Sequence, residues 1–104
     1  MVTPPLFYIL LSLRGHERHG YEILKEVQSG SLGKIRLGPA TLYTSLKKLL
    51  DTRLIQEVVG PKDGDPRRRY YRLTSSGRTQ LAQELDRMER ALAVGRPRAV
   101  RATS

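Results

Sequence analysis

Cysteine is absent from the chain. That excludes disulfides and thiol chemistry, and it fits a cytoplasmic protein. Long hydrophobic runs are missing as well. The longest near the start, LFYILLSL at residues 6–13, is too short to span a bilayer. It has no basic leader and no small-residue cleavage pattern, so it reads as a core helix rather than a targeting segment. Gly-rich phosphate loops are lacking: LGKIRLG at 32–38 matches neither Gly-x-Gly-x-x-Gly nor Gly-Lys-Ser/Thr. No Ser/His/Asp set is visible. His16 and His19 flank a helix break without cysteine or a carboxylate cluster beside them, so neither a metal site nor any other cofactor is expected. An enzyme is therefore the weakest reading.

Acid is also scarce. Ten Asp+Glu face 19 Lys+Arg, a formal charge of +9 over 104 residues. Such a balance favours a polyanionic partner, the bland alternative being a merely basic soluble protein. The length suits one domain with a modest core, for which dimerisation hides further apolar surface.

Along the chain, Thr3-Pro4-Pro5 reads as a helix start, and Leu6, Ile9, Leu10 and Leu13 recur at helical spacing as far as Gly15. A second helix carries Tyr21, Leu24 and Val27 on one stripe with Ile23 beside it, and ends at Gly30. Ile35 and Leu37 alternate around Arg36, which suggests a brief strand or an extended linker. Pro39 opens a third helix with Leu42, Leu46, Leu49 and Leu50 as its apolar stripe, closing at Asp51-Thr52. RLIQEVVG and RYYRLT read as strands around the turn PKDGDP, with Tyr71 and Leu73 on one face and Tyr70 and Arg72 on the other. Ser75 or Ser76 is expected to cap a last helix.

Three helices, a β-hairpin and a further helix make the winged helix-turn-helix arrangement, mainly α with a small β-hairpin. The expected boundaries are a winged helix-turn-helix over 1–74, a C-terminal dimerisation helix over 75–94 and a basic, disordered tail over 95–104.

The third helix, about 39–51, carries the sharpest functional signal. Opposite its leucines lie Ala40, Thr41, Thr44, Lys47 and Lys48, with Tyr43 on the flank. Small hydroxyl-bearing residues suit entry into a major groove, and the lysines suit the phosphate backbone. Asparagine is missing from the whole chain and glutamine from this helix. Base reading would fall to Thr, Tyr, Lys, arginine and DNA shape, with few base contacts. The hairpin tip at 60–69 adds Lys62, Arg67, Arg68 and Arg69 to a Gly-containing loop, a wing able to reach the backbone or minor groove. Arg67 and Arg68 are the expected contacts, with Arg69 partly structural. The opposing reading is that Asp63 and Asp65 merely neutralise them. Lys34, ahead of the third helix, completes the basic set.

On the last helix Leu81, Leu85, Met88 and Leu92 are spaced 4, 3 and 4 apart, a helix–helix seam. Packed with Leu6 and Leu10 of the first helix, it is expected to form a two-fold dimer contact, with packing inside one chain as the alternative.

HGYEILKEV, LGPATLYTSLKKLLDTRLIQE and RRRYYRLTSSGRTQL, in that order, resemble the PadR family of bacterial transcriptional regulators, over roughly residues 6–92. The short single C-terminal helix looks like its smaller subfamily. The resemblance implies a winged helix-turn-helix, a dimer made by the last helix, repression by operator binding to double-stranded DNA, and release by a small effector or stress signal of unknown identity. It implies that Tyr21 lies near the DNA backbone, that Pro39, Thr41 and Tyr43 begin the recognition helix, and that the arginines before YYRLT form the wing. Two departures stand out. Thr44 replaces a second proline and frees a hydroxyl. Arg53 stands where many relatives have Gly, at a cost of about 1 kcal/mol if that turn is left-handed. Phe7 and Tyr8 are weighed as lining for an effector cavity, with core packing preferred. A winged helix that binds protein instead of DNA is the rival reading. It predicts that Lys47, Lys48 and the wing arginines can be neutralised without loss of function.

Overall fold

The computed structural model describes residues 2–96. Four helices, α1 (Pro4–Ser12), α2 (Gly20–Gly30), α3 (Pro39–Asp51) and α4 (Ser75–Gly95), surround a three-stranded antiparallel sheet of β1 (Arg18–His19), β2 (Ile55–Val58) and β3 (Tyr70–Leu73). The strand order is β1-β3-β2. Ile55 lies opposite Leu73 and Val58 opposite Tyr70, while Arg18 and His19 pair with Tyr71 and Tyr70. The winged-helix architecture stands as expected. The two-residue β1 is an addition to it, and 32–38 forms no strand.

The core is one cluster. Ile9 and Leu10 from α1, with Leu13 just after it, meet Ile23 and Val27 from α2 and Leu42, Leu46 and Leu49 from α3. Ile55, Tyr71 and Leu73 of the sheet and Leu81 of α4 close it. The i, i+3, i+4 spacing of these residues on each helix sets which faces turn inward. Phe7 is part of the same cluster and Tyr8 packs against it, in accord with core packing over a ligand cavity.

Two helices end on left-handed non-glycine residues. At the end of α3, Arg53 has φ 61°, its N–H donates to Leu50 O and the N–H of Leu54 donates to Leu49 O. At the end of α2, Leu32 has φ 56°, its N–H donates to Ser29 O and the N–H of Gly33 donates to Gln28 O. Both caps satisfy the last carbonyls in the way a glycine usually allows. The turn before Leu54 is therefore left-handed, and Arg53 carries its strain.

Three details correct the sequence reading. The cap of α4 is Thr74, whose hydroxyl accepts from Gly77 N–H (3.0 Å) and donates to Arg53 O (2.6 Å). Tyr70 is buried rather than outward, because the wing loop closes over it at Gly60 and Gly64 and the His19 ring meets it edge-on at 5.3 Å. Tyr21 is exposed, and Ile23 and Val27 form the buried stripe of α2.

Helix α4 continues through Gly95, one residue beyond the expected 94. The expected disorder of the tail lies, from residue 97 on, outside the described residues. Only the first half of α4 is packed: Gly77, Leu81 and Glu84 are buried, Glu84 paired with Arg87, while residues 86–96 are exposed. No helix among the described residues is long and apolar enough to cross a membrane.

Candidate nucleic-acid interface

Helix α3 begins at Gly38-Pro39, where proline presets the first turn and sacrifices an N–H with no helical partner. Its buried residues, Leu42, Leu46 and Leu49, fix its rotation. Pro39, Ala40, Thr41, Tyr43, Thr44, Lys47 and Lys48 are all exposed as a consequence.

Their hydroxyls differ in availability. Thr44 Oγ1 donates to Ala40 O at 2.9 Å, which leaves only its lone pairs for a ligand. Thr41 makes no side-chain hydrogen bond among the described residues, so its hydroxyl is free both to donate and to accept. Lys47 pairs with Asp51 one turn on at 3.2 Å. Lys48 has no such acidic partner among the described residues and presents its full charge.

Beside the start of α3 lies a cleft of about 290 Å³ lined by His19, Gly20, Tyr21, Tyr43, Tyr71 and the wing arginines 67–69. The amino end of α2 opens into it, adding the partial positive charge of free backbone amides. Tyr21 and Tyr43 are 64% and 60% exposed, large aromatic side chains left outside the core on either side of this cleft. Burial holds the Tyr71 phenol above its usual range, with the Glu57 charge adding to the effect.

The wing arginines are all engaged. Asp65 accepts from Arg67 Nε (3.2 Å), Nη2 (3.1 Å) and backbone N–H (2.9 Å). The side-chain bonds from Arg67 hold the Asp65 carboxyl below the usual carboxylate range, its backbone bond and the Arg68 charge helping. Arg69 pairs with Glu57 at 3.7 Å, and Arg68 Nη1 lies 3.3 Å from His19 Nε2. Lys62 at the tip and Lys34 in the α2–α3 loop are exposed. Arg68 is thus the wing arginine without an acidic partner among the described residues.

His19 is the N-cap of α2. Its Nδ1 accepts from Glu22 N–H and its own N–H donates to the Glu22 carboxylate. The signal for it was His-x-x-Glu, with an uncommon residue at the capping position. No group of three or more His, Asp or Glu side chains suited to a metal occurs among the described residues.

Of the expected dimer residues, Leu6, Leu10 and Leu81 are packed inside the chain itself, and Leu85 is half-buried. Met88 and Leu92 remain, 43% and 50% exposed on the free half of α4. An open groove of about 660 Å³ lies against α4 at Leu81, Ala82, Leu85 and Glu89, with Leu73 and Arg14 on its other side.

Residues 9–83 match the model of the transcriptional regulator PadR-like family. Uncharacterized protein X of Lysinibacillus sphaericus is 31% identical over 75 residues, spanning 72% of this chain and 69% of that protein. Among solved structures, a transcriptional regulator from Clostridium thermocellum superposes with a TM-score of 0.69 at 27% identity, covering 86% of both chains. PadR of Bacillus subtilis, solved in complex with operator DNA, has a TM-score of 0.66 at 28% identity over 77% of this chain and 45% of its own.

Proposed function

The chain belongs to the PadR-like family of transcriptional regulators, and from that premise we propose that it binds operator DNA as a homodimer and represses transcription. Helix α3 enters the major groove, with Pro39, Ala40 and Thr41 leading, Tyr43 and Thr44 beside them, and Lys47 and Lys48 on phosphates. Tyr21 and the wing residues Lys62, Arg67, Arg68 and Arg69 take the backbone or the adjacent minor groove, and Lys34 adds charge near the backbone. The observation that carries this reading is the exposure of the α3 face together with a cleft at its flank where Tyr43, Tyr21, Arg68 and the amino end of α2 meet. Helix N-termini and arginines together favour a phosphate oxygen.

The dimer reading rests on α4. The stretch of α4 beyond the core, residues 86–95, would be marginal alone in water. Met88, Leu92 and half-buried Leu85 line the side that a second copy would cover. A two-fold pair would set the two recognition helices at a fixed half-site spacing. An effector acting on that spacing would release the DNA.

Fluorescence anisotropy tests the proposal with duplex from upstream of the protein's own gene and a scrambled duplex, at several salt concentrations. Expected is nanomolar binding to the first with about a thousandfold preference. Equal, weak and steeply salt-dependent binding to both duplexes would reduce the site to a charge effect.

A further inference from the structure

His19 makes two contacts that one neutral imidazole cannot satisfy together. Nδ1 accepts the Glu22 backbone N–H at 3.5 Å, capping α2. On the far side of the ring, Nε2 lies 3.3 Å from the Arg68 guanidinium of the wing. The backbone amide and the guanidinium are donors only. A neutral imidazole has a single acceptor nitrogen, because the other carries the proton. With the proton on Nδ1, Arg68 is held and the cap is lost. With the proton on Nε2, the cap forms, and that N–H faces the Glu22 carboxylate at 3.5 Å. Arg68 then meets a donor and has no reason to stay. The ring is confined meanwhile: His19 is buried and stands edge-on to Tyr70 at an interplanar angle of 89°.

We propose that His19 is a positioning residue that lends its one lone pair either to α2 or to Arg68, coupling the start of the helix-turn-helix to the wing. In the free protein the guanidinium competes for the ring. When Arg68 turns to a phosphate, the lone pair returns to the Glu22 amide and α2 gains its cap. The last step rests on the DNA-binding reading above; the competition between cap and wing does not.

The test uses the full chain without DNA first. Nitrogen-15 spectra of the His19 ring and hydrogen exchange at the Glu22 amide are compared between the parent and Arg68→Ala, with His16→Gln to assign the signals. Removing the guanidinium should pass the unprotonated-nitrogen signal from Nε2 to Nδ1 and slow exchange at Glu22 by about threefold or more. An unchanged ring spectrum in Arg68→Ala overturns the proposal. His19→Asn keeps a short capping acceptor that does not reach Arg68, so its Glu22 amide should be protected whether residue 68 is Arg or Ala. If that amide still responds to Arg68→Ala, the effect does not run through the ring and the proposal fails. Adding the operator duplex to the parent should reproduce the Arg68→Ala spectrum. Tight operator binding with an unmoved ring would overturn the DNA-linked step while leaving the DNA-binding reading intact.

Discussion

Gly77 lies so close to the backbone carbonyl of Leu54 that even a methyl group on its Cα would overlap the oxygen. This is where α4 is fastened to the base of the wing. Thr74 N–H donates to the same Leu54 carbonyl at 3.1 Å, and the Thr74 hydroxyl caps α4 by way of Gly77. Gly77→Ala should therefore force α4 away from β2. A loss of about 3 kcal/mol is expected, read as a lowered urea midpoint at unchanged fold by circular dichroism. A midpoint equal to the parent's would show that α4 shifts freely, against the packing described.

Arg53 and Leu32 offer the opposite effect. Each holds a left-handed backbone that costs a non-glycine residue about 1–2 kcal/mol, partly offset because glycine loses more freedom on folding. Arg53→Gly and Leu32→Gly should each stabilise the chain by about 0.5–1 kcal/mol. Thermal unfolding of the single and double variants checks this; the sites are separate helix ends, so their effects should add.

Lys48 and Lys47 should behave differently at DNA. Lys48→Ala removes an unpaired cation and should lower affinity for all sequences alike, reducing the salt slope by about 0.9. Lys47→Ala removes a cation already shared with Asp51 and should do less. Thr41→Ala, by contrast, should relax preference at one base position by about 1–3 kcal/mol. Anisotropy titrations over a panel of single-base operator variants separate the three.

Asp65 restrains Arg67. Asp65→Asn should free the guanidinium for phosphate, tightening binding to any duplex and steepening the salt slope by about 0.9. Acid should act in the same direction. The carboxyl is held below its ordinary value of 3.8, so the pairing is complete above that value and is lost as pH falls through the lower folded one. The Arg67 side-chain N–H signals, followed by nuclear magnetic resonance, should sharpen and shift only below that range. A change already complete near neutral pH would rule this cause out.

Leu92→Glu places a charge on the exposed stripe of α4 beside Met88. If this stripe joins two copies, the dimer dissociation constant should rise by about thirtyfold, equivalent to ~2 kcal/mol. Sedimentation measures it, and an unchanged helix signal in circular dichroism shows that the chain itself still folds. Dissociation unaltered by Leu92→Glu would move the contact elsewhere.

Much of the fold was legible because the strongest signals were local and periodic. Pro39, the leucine spacing and Asp51-Thr52 bound α3 without any knowledge of its neighbours. β1 was not legible: Arg18 and His19 form a strand only because β3 has a free edge beside them. Three successive hydroxyl residues, Thr74, Ser75 and Ser76, are all suitable caps. Thr74 is chosen because Arg53 O lies within its reach across the fold. Strand alternation put Tyr70 outside, yet the loop that folds back over it comes from ten residues earlier in the chain. Within the candidate interface, side-chain types were readable, but their pairing was not. Which arginine is tied to Asp65, Glu57 or His19 depends on how the wing is closed.

The sheet order has a consequence for how copies of the chain can meet. β3 is paired on both sides, by β1 and β2, so the free strand edge of the wing hairpin is that of β2. It is only four residues long, carries Glu57 facing solvent, and runs soon after into Gly60 and Pro61. A short, charged edge stopped by proline is a poor template for another strand. The wing of this protein is thereby insulated against edge-to-edge stacking and amyloid-like growth, even while it projects into solution with no nucleic acid beside it.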